Sequence, residues 1–212
     1  HPGLGRYVTS RWEPGVTFAD TYRLPIPETA YTPDQGDIQV GMYQPDGPRL
    51  LTEEGLDAVH LAEVTVDPLP GEVPNPIHAN FGGQVALIGY ALDQRTAAPG
   101  ESMRLTLYWQ ALAGMERDYR TFAQVVGEQN QVWANSDSHP AGGTALTSRW
   151  EPGQIVEDVR ELTLHPETPA NFYDIHVGVY APGEERLPLL AEDGRWLGQH
   201  IPLVRVRVMN DE

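Results

Sequence analysis

No cysteine occurs among the 212 residues, which excludes disulfides, thiolate nucleophiles and thiolate metal sites and leaves the redox compartment open. No run of eighteen apolar residues is present, so no segment has the length of a membrane-spanning helix, and no basic-then-apolar leader opens the chain. Any anchoring or export signal is expected outside these residues. Basic side chains are scarce, 14 against 30 acidic, for a formal charge of -16. A surface that negative repels phosphodiester backbones and anionic lipid headgroups, which argues against nucleic acid and direct membrane-surface contact. Helical periodicity is absent throughout. So are the G-x-S-x-G elbow, the G-x-x-x-x-G-K-[ST] phosphate loop, the G-x-G-x-x-G turn and the H-E-x-x-H helix. Their joint absence argues against catalysis, and neither an enzyme nor a cofactor is expected.

What is present is a folded composition and a repeat. Hydrophobic residues make up 40% of the chain and the acids are scattered, as in a globular acidic domain rather than a disordered tail. His1 to Gly15 (HPGLGRYVTSRWEPG) and His139 to Gly153 (HPAGGTALTSRWEPG) are identical at 10 of 15 positions with a constant offset of 138. Further on, Asp37-Ile38-Gln39-Val40-Gly41-Met42-Tyr43 matches Asp174-Ile175-His176-Val177-Gly178-Val179-Tyr180, and a closing strand pairs Val64 and Val66 with Val204 and Val206. Residues 84–137 have no counterpart before His1. The organisation expected is therefore the C-terminal half of a first β-sandwich module over 1–67, a proline-rich linker over 68–79, and a complete module over 80–212, the whole belonging to a longer parent chain. Four prolines between Pro68 and Pro76 remove backbone donors and favour an extended spacer.

The second copy carries seven short extended runs: Gln84–Leu92, Met103–Ala111, Arg120–Val126, Gln131–Asn135, Ile155–Leu164, Phe172–Tyr180 and Ile201–Val208. Turn clusters such as Ala98-Pro99-Gly100 and Ala181-Pro182-Gly183 separate them, the pattern of an all-β antiparallel sandwich of immunoglobulin or fibronectin type. Period-two alternation assigns the faces. Met103, Leu105, Leu107 and Trp109 point inward, as do Tyr173, Ile175, Val177 and Val179. Tyr108 then faces out with Arg104, Thr106 and Gln110, and Phe172, Asp174, His176 and Tyr180 face out on their strand. Trp133 lies opposite Val132 and Ala134 and is expected to be the aromatic most open to solvent. The first copy supplies strands near Val16–Ile26, Ile38–Tyr43 and His60–Val66. Three strands alone expose an apolar face and open edges, which predicts either docking on the complete module or a strand-mediated homodimer.

The shared Thr-Ser-Arg-Trp-Glu-Pro-Gly segments read as a corner of the fold, with Pro-Gly turning the chain and Trp12 and Trp150 plugging the end of a sandwich. Asn135, Asp137 and His139 are close in sequence, as are Asp34 and Asp37. Neither group follows a calcium-loop spacing, so no metal site is expected. The 30 acids could supply a glycosidase pair, yet nothing in the sequence selects one. Outward aromatics beside amides and acids suit sugar faces and hydroxyls, which makes Tyr108, Trp133, Phe172, His176 and Tyr180 the candidate ligand-binding residues and a glycan the candidate ligand. The competing reading is that one of these faces is covered by the neighbouring half-module or a partner chain.

The stretches Gln84-Val85-Ala86-Leu87-Ile88-Gly89-Tyr90, Leu105-Thr106-Leu107-Tyr108-Trp109-Gln110-Ala111, Thr147-Ser148-Arg149-Trp150-Glu151-Pro152-Gly153 and Val177-Gly178-Val179-Tyr180 resemble a known set of modules. These are the C-terminal extracytoplasmic β-sandwiches of multi-pass membrane glycosyltransferases of the dolichyl-phosphate-mannose type from green non-sulfur bacteria. The resemblance covers about residues 80–208, and the last third of it recurs in 1–67. It implies a place outside the cytoplasm, a membrane-anchored parent and an accessory role in cell-surface glycan assembly. It carries over no catalytic residue. The alternative is a purely structural or protein-interaction module that associates through exposed strand edges.

Overall fold

The computed structural model describes residues 9–17, 19–27, 29–43 and 47–210. Among them, regular structure is extended strand, with helical turns confined to three-residue 3-10 segments such as Thr9–Arg11 and Thr147–Arg149. The strands are β1 (Asp34–Val40), β2 (Val59–Val66), β3 (Ala79–Phe81), β4 (Val85–Leu92), β5 (Thr96–Ala97), β6 (Ser102–Ala111), β7 (Arg120–Val126), β8 (Val132–Ser138), β9 (Ile155–Thr163), β10 (Asn171–Tyr180), β11 (Leu189–Leu190), β12 (Trp196–Gly198) and β13 (Ile201–Val208). All seven runs expected in the second copy are strands. The short β3, β5, β11 and β12 were not anticipated, because two or three residues are too few to show a period.

These strands form a β-sandwich. One sheet has the order β5-β13-β10-β7-β8 and the other the order β12-β11-β3-β4-β6-β9. The inward set of β6, Met103, Leu105, Leu107 and Trp109, is fully buried, and it shares the core with Tyr173, Ile175, Val177 and Val179 of β10. Burying each aliphatic side chain of this size is worth about 1.5–3 kcal/mol, which is what holds the two sheets face to face. Strand β9 departs from an all-apolar inner face: Asp158 and Arg160 lie buried between Val156 and Leu162. The carboxylate of Asp158 accepts from Trp109 Nε1 (3.3 Å), Thr121 Oγ1 (3.0 Å), the Ala141 amide (2.9 Å) and Arg160 Nε (2.9 Å). Arg160 also donates to Ser138 Oγ (2.7 Å) and to Thr121 Oγ1, so the pair ties β9 to β7 and β8 across the sandwich.

The shared corner closes the core only in the complete module: Trp12, expected to plug a sandwich end like Trp150, is 38% exposed, because among the described residues the first region forms only a two-stranded sheet with no second sheet to cover it. Thr147 is buried, accepts the Tyr119 amide (2.8 Å) and donates to the Arg117 carbonyl (3.0 Å), while Trp150 is 5% exposed and closes the core. Gly15 and Gly153 make the same left-handed turn, at φ 87° and 86°.

Strands β1 and β2 pair antiparallel in a separate two-stranded sheet whose register shifts between Ile38 and Gln39. The β10–β13 pair shifts at the corresponding point, between Ile175 and His176. Register also corrects the sequence alignment of the closing strand. Gly36 faces Val64 while Tyr173 faces Val206, and Asp34 faces Val66 while Asn171 faces Val208. Val64 and Val66 therefore correspond to Val206 and Val208, two residues beyond the alignment expected, and a slip of two keeps each side chain on its own face. The strand expected over Val16–Ile26 is not formed. Its counterpart β9 is held by β6 through nine residue pairs, and among the described residues nothing pairs with 16–26, so no ladder defines a strand there.

The first region docks on the sandwich through 29–34. Tyr90 donates its hydroxyl to the Thr29 carbonyl (2.9 Å), Tyr31 donates to the Leu92 carbonyl (3.3 Å), and Arg95 meets Asp34 at 2.7 Å while lying over the Tyr31 ring. The proline-rich segment takes part rather than acting as a free spacer. Buried Asn75 accepts the Thr32 amide (2.6 Å) and donates to the Tyr90 carbonyl (3.0 Å). Gly89 makes this approach possible, since a Cβ there would stand 2.4 Å from Val73 Cγ2 and 2.7 Å from the Pro74 carbonyl.

Candidate functional site on the outer face of the five-stranded sheet

The outer face of the five-stranded sheet gathers polar and aromatic side chains from β7, β8, β10 and the segment joining β10 to β13. Alternation on β7 turns Arg120, Phe122 and Gln124 to this face and Thr121, Ala123 and Val125 to the core, and Phe122 is itself buried, covered by its neighbours on the face. Register then places Phe122 beside Gly178 and Asp137, Gln124 beside His176 and Asn135, and Arg120 beside Tyr180. Gly178 is required at the centre: a Cβ would lie 2.4 Å from Phe122 Cζ, so the ring rests on bare backbone. Arg186, bridged to Tyr180 along the chain, covers the other side of that ring with its guanidinium 4.1 Å from the centroid.

Around Phe122 the polar groups are held in fixed geometry. Tyr180 donates its hydroxyl to Asp137 at 2.8 Å, and Arg120 approaches the same carboxylate at 3.2 Å. Gln124 donates to Asn135 at 3.0 Å, which leaves the other amide groups open. His176 and His200 stack with ring centroids 4.4 Å apart. Burial lowers the pKa of both, His200 next to His176 lowers it further for the latter, and Arg186 acts the same way on each. Both rings are therefore neutral at neutral pH, each with one donor and one acceptor nitrogen. Burial, then the bond to Asp137, raises the Tyr180 phenol, so it stays protonated.

Of the five residues selected from sequence, His176 and Tyr180 lie in this cluster. Phe172 is on the same strand and face but farther along, 58% exposed, with Arg207 over its ring at 5.7 Å. Tyr108 lies on the outer face of the other sheet, beside Glu157 and Gly89, so it cannot share a ligand with them. Trp133 is not the most open aromatic. It is half-buried, edge-on to Tyr173 and tilted against His165, because β8 borders the sandwich and a register shift beside Val126 lets the indole tuck against the core. Phe122, Arg120, Gln124, Arg186 and His200 were missed, and Asn135 and Asp137 were weighed only as metal ligands. Alternation on β7 could have found the first three, and the Tyr-x5-Arg spacing shared by Tyr43/Arg49 and Tyr180/Arg186 could have found Arg186.

A concavity of about 370 Å³ lies where 27–34 meets β13, lined by Tyr31, Asp34, Arg95, Asp174 and Arg205. Its charges are matched internally, Arg95 with Asp34 and Arg205 with Asp174 (2.9 Å). Among the described residues no three His, Asp or Glu side chains are grouped to hold a metal ion.

No family model matches the chain, and no curated protein matches it. Among solved structures it is similar to the crystal structure of the C-terminal domain of Wzt, at 12% identity and a TM-score of 0.48, over 65% of this chain and 81% of that one. It is also similar to Spo0M, a sporulation control protein from Bacillus subtilis, at 14% identity and a TM-score of 0.29, over 60% of this chain and 49% of that one. Neither likeness transfers a residue role or a ligand to this chain.

Proposed function

We propose that the chain is a non-catalytic, carbohydrate-binding β-sandwich, an accessory part of a larger cell-surface protein, with the outer face of the five-stranded sheet as its glycan surface. The observation that carries this reading is the set of planar polar groups around Phe122: Gln124, Asn135, neutral His176 and His200, and Tyr180 with Asp137. Sugars present hydroxyls that both donate and accept. Side chains whose orientation is already fixed by neighbours bind them without paying again for ordering. The two carboxylates of the face, Asp137 and Asp174, are each tied to an arginine, so no open pair faces a scissile bond. An immunoglobulin or fibronectin-like topology is supported by the strand order, β4-β6-β9 against β8-β7-β10-β13. The extracytoplasmic setting beside a glycosyltransferase rests on the sequence resemblance.

Binding to a panel of bacterial glycans tests this. Tyr180→Ala and Gln124→Ala should each weaken binding about tenfold, the equivalent of about 1.4 kcal/mol, while Tyr108→Ala on the opposite sheet leaves it unchanged. Absence of binding across the panel, or equal losses from Tyr108→Ala and Tyr180→Ala, would refute the assignment. A second reading, a protein-interaction module, is favoured by the apolar surface of the first region, where Leu24, Ile26 and Val40 are 67%, 62% and 50% exposed.

A further inference from the structure

The charges on this face run against the charge of the chain. The protein carries -16 overall, and its 14 basic residues are all arginine. Four of them, Arg120, Arg186, Arg205 and Arg207, stand on or over the outer face of the five-stranded sheet. Arg120 and Arg205 are matched by Asp137 and Asp174, and Glu184, next to the site, is taken by Arg117. Arg186 and Arg207 make no ion pair among the described residues.

Both unpaired arginines lie over a phenylalanine, Arg186 over Phe122 and Arg207 over Phe172. Neither guanidinium has a hydrogen-bond acceptor among the described residues, so the donors of each are free to meet a two-oxygen anion with two parallel bonds. The first region shows what this position looks like when the charge is satisfied internally. Tyr43 bridges Arg49 as Tyr180 bridges Arg186. Arg49, however, reaches Asp57 at 3.2 Å. Counting from the matching turns at Gly55 and Gly194, which close with the same bonds (Thr52 amide to Leu56 carbonyl, Ala191 amide to Arg195 carbonyl), Asp57 corresponds to Trp196. The internal carboxylate is thus replaced by an indole, and the arginine is left available. The influence of Arg186 on His176, His200 and Tyr180 alike places its charge in the middle of the cluster.

We infer that the glycan taken by this face is acidic, with a carboxylate or phosphate on one sugar held by Arg186 and a further acidic group reached by Arg207. From 172 to 178 along β10 is about 20 Å at roughly 3.3 Å per residue, so the two arginines address separated positions of one polyanionic saccharide. This inference rests on the carbohydrate-binding reading above.

Titration with oligouronides and with their methyl esters, which remove the charge at the cost of one methyl group per acid, decides it, and sugar-phosphate oligomers separate phosphate from carboxylate as the preferred group. The free acids or the phosphates should bind at least about tenfold tighter than the esters, with the preference shrinking as salt rises. Arg186→Gln should abolish most of the preference, Arg186→Lys should keep part of it, and Arg207→Gln should weaken long oligomers more than short ones. Circular dichroism checks that each variant is folded. Equal binding of acids and esters, or a preference that survives in the Arg186→Gln, Arg207→Gln double variant, overturns this inference and leaves the carbohydrate reading standing. Binding of no saccharide, charged or neutral, removes both.

Discussion

Asp158 is 0% exposed and Arg160 3% exposed, the buried ion pair among the described residues, in a sandwich whose core is mainly apolar. Such a pair is tolerable because every oxygen and most guanidinium donors are bonded, including the Trp109 indole and the Ala141 amide that would otherwise be left without partners. Removing one member strands the other. Asp158→Ala is expected to cost about 3–5 kcal/mol in urea unfolding, and Asp158→Ala with Arg160→Met to recover part of it. An unchanged midpoint in the single variant would show that water reaches Arg160. Parity along Ile155–Thr163 puts these two residues on the face of Val156 and Leu162, so their place was legible. That they could remain there as ions was not, because the partners come from β6, β7 and the turn after Pro140. Trp133 makes the same point from the other side: alternation turned it outward, and a register shift in its pairing with β7 tucked it in.

At the scale of elements, the paired strands β1 and β2 reproduce the register and bulge of β10 and β13, whereas the segment 16–26 does not reproduce β9. A strand is a property of its partner as much as of its own residues. What fastens the first region is instead the 29–34 segment, with Arg95 meeting Asp34 at the contact. The hydrogen bond from Arg95 holds the Asp34 carboxyl below its ordinary value of 3.8, against the opposing effect of burial. A carboxylate with a depressed pKa adds stability that is complete above its ordinary value and is lost as pH falls through the lowered one. Amide protection at 30–35, measured against the intrinsic exchange rate at each pH, should therefore fall at pH values below about 4. Arg95→Ala should produce a similar fall in protection at neutral pH, with a loss of about 0.2–1 kcal/mol for so exposed a pair. Exchange that is insensitive to both changes would mean that the Asn75 and Tyr90 bonds alone secure the contact.

For the molecule as a whole, apolar exposure is unevenly distributed. Leu24 and Ile26 are 67% and 62% exposed, while their counterparts by the repeat, Leu162 and Leu164, are 0% and 1%. Residues of matching position in the repeat are covered in one region and open in the other, and exposed apolar segments favour association. We propose that the chain pairs through this region. Light scattering should show a dimer at micromolar concentration, and Leu24→Glu with Ile26→Glu should convert it to a monomer of unchanged thermal stability. A monomer at every concentration would exclude this mode of association.

Composition, alternation and the repeat determined the all-β class, the seven principal strands, the inward sets of β6 and β10, and the structural role of the Thr-Ser-Arg-Trp-Glu-Pro-Gly corner in the complete module, because each depends on local period or on turn chemistry. The tertiary structure decided which outward residues share a face. It separated Tyr108 from His176 and Tyr180 by the thickness of the sandwich, and it brought Phe122, Asp137, Arg186 and His200 to them from three other segments of chain. Alternation assigns a side chain to one side of its own strand. Only the order of strands within the sheets says which of those sides coincide, and that order is set by the burial of the core between them.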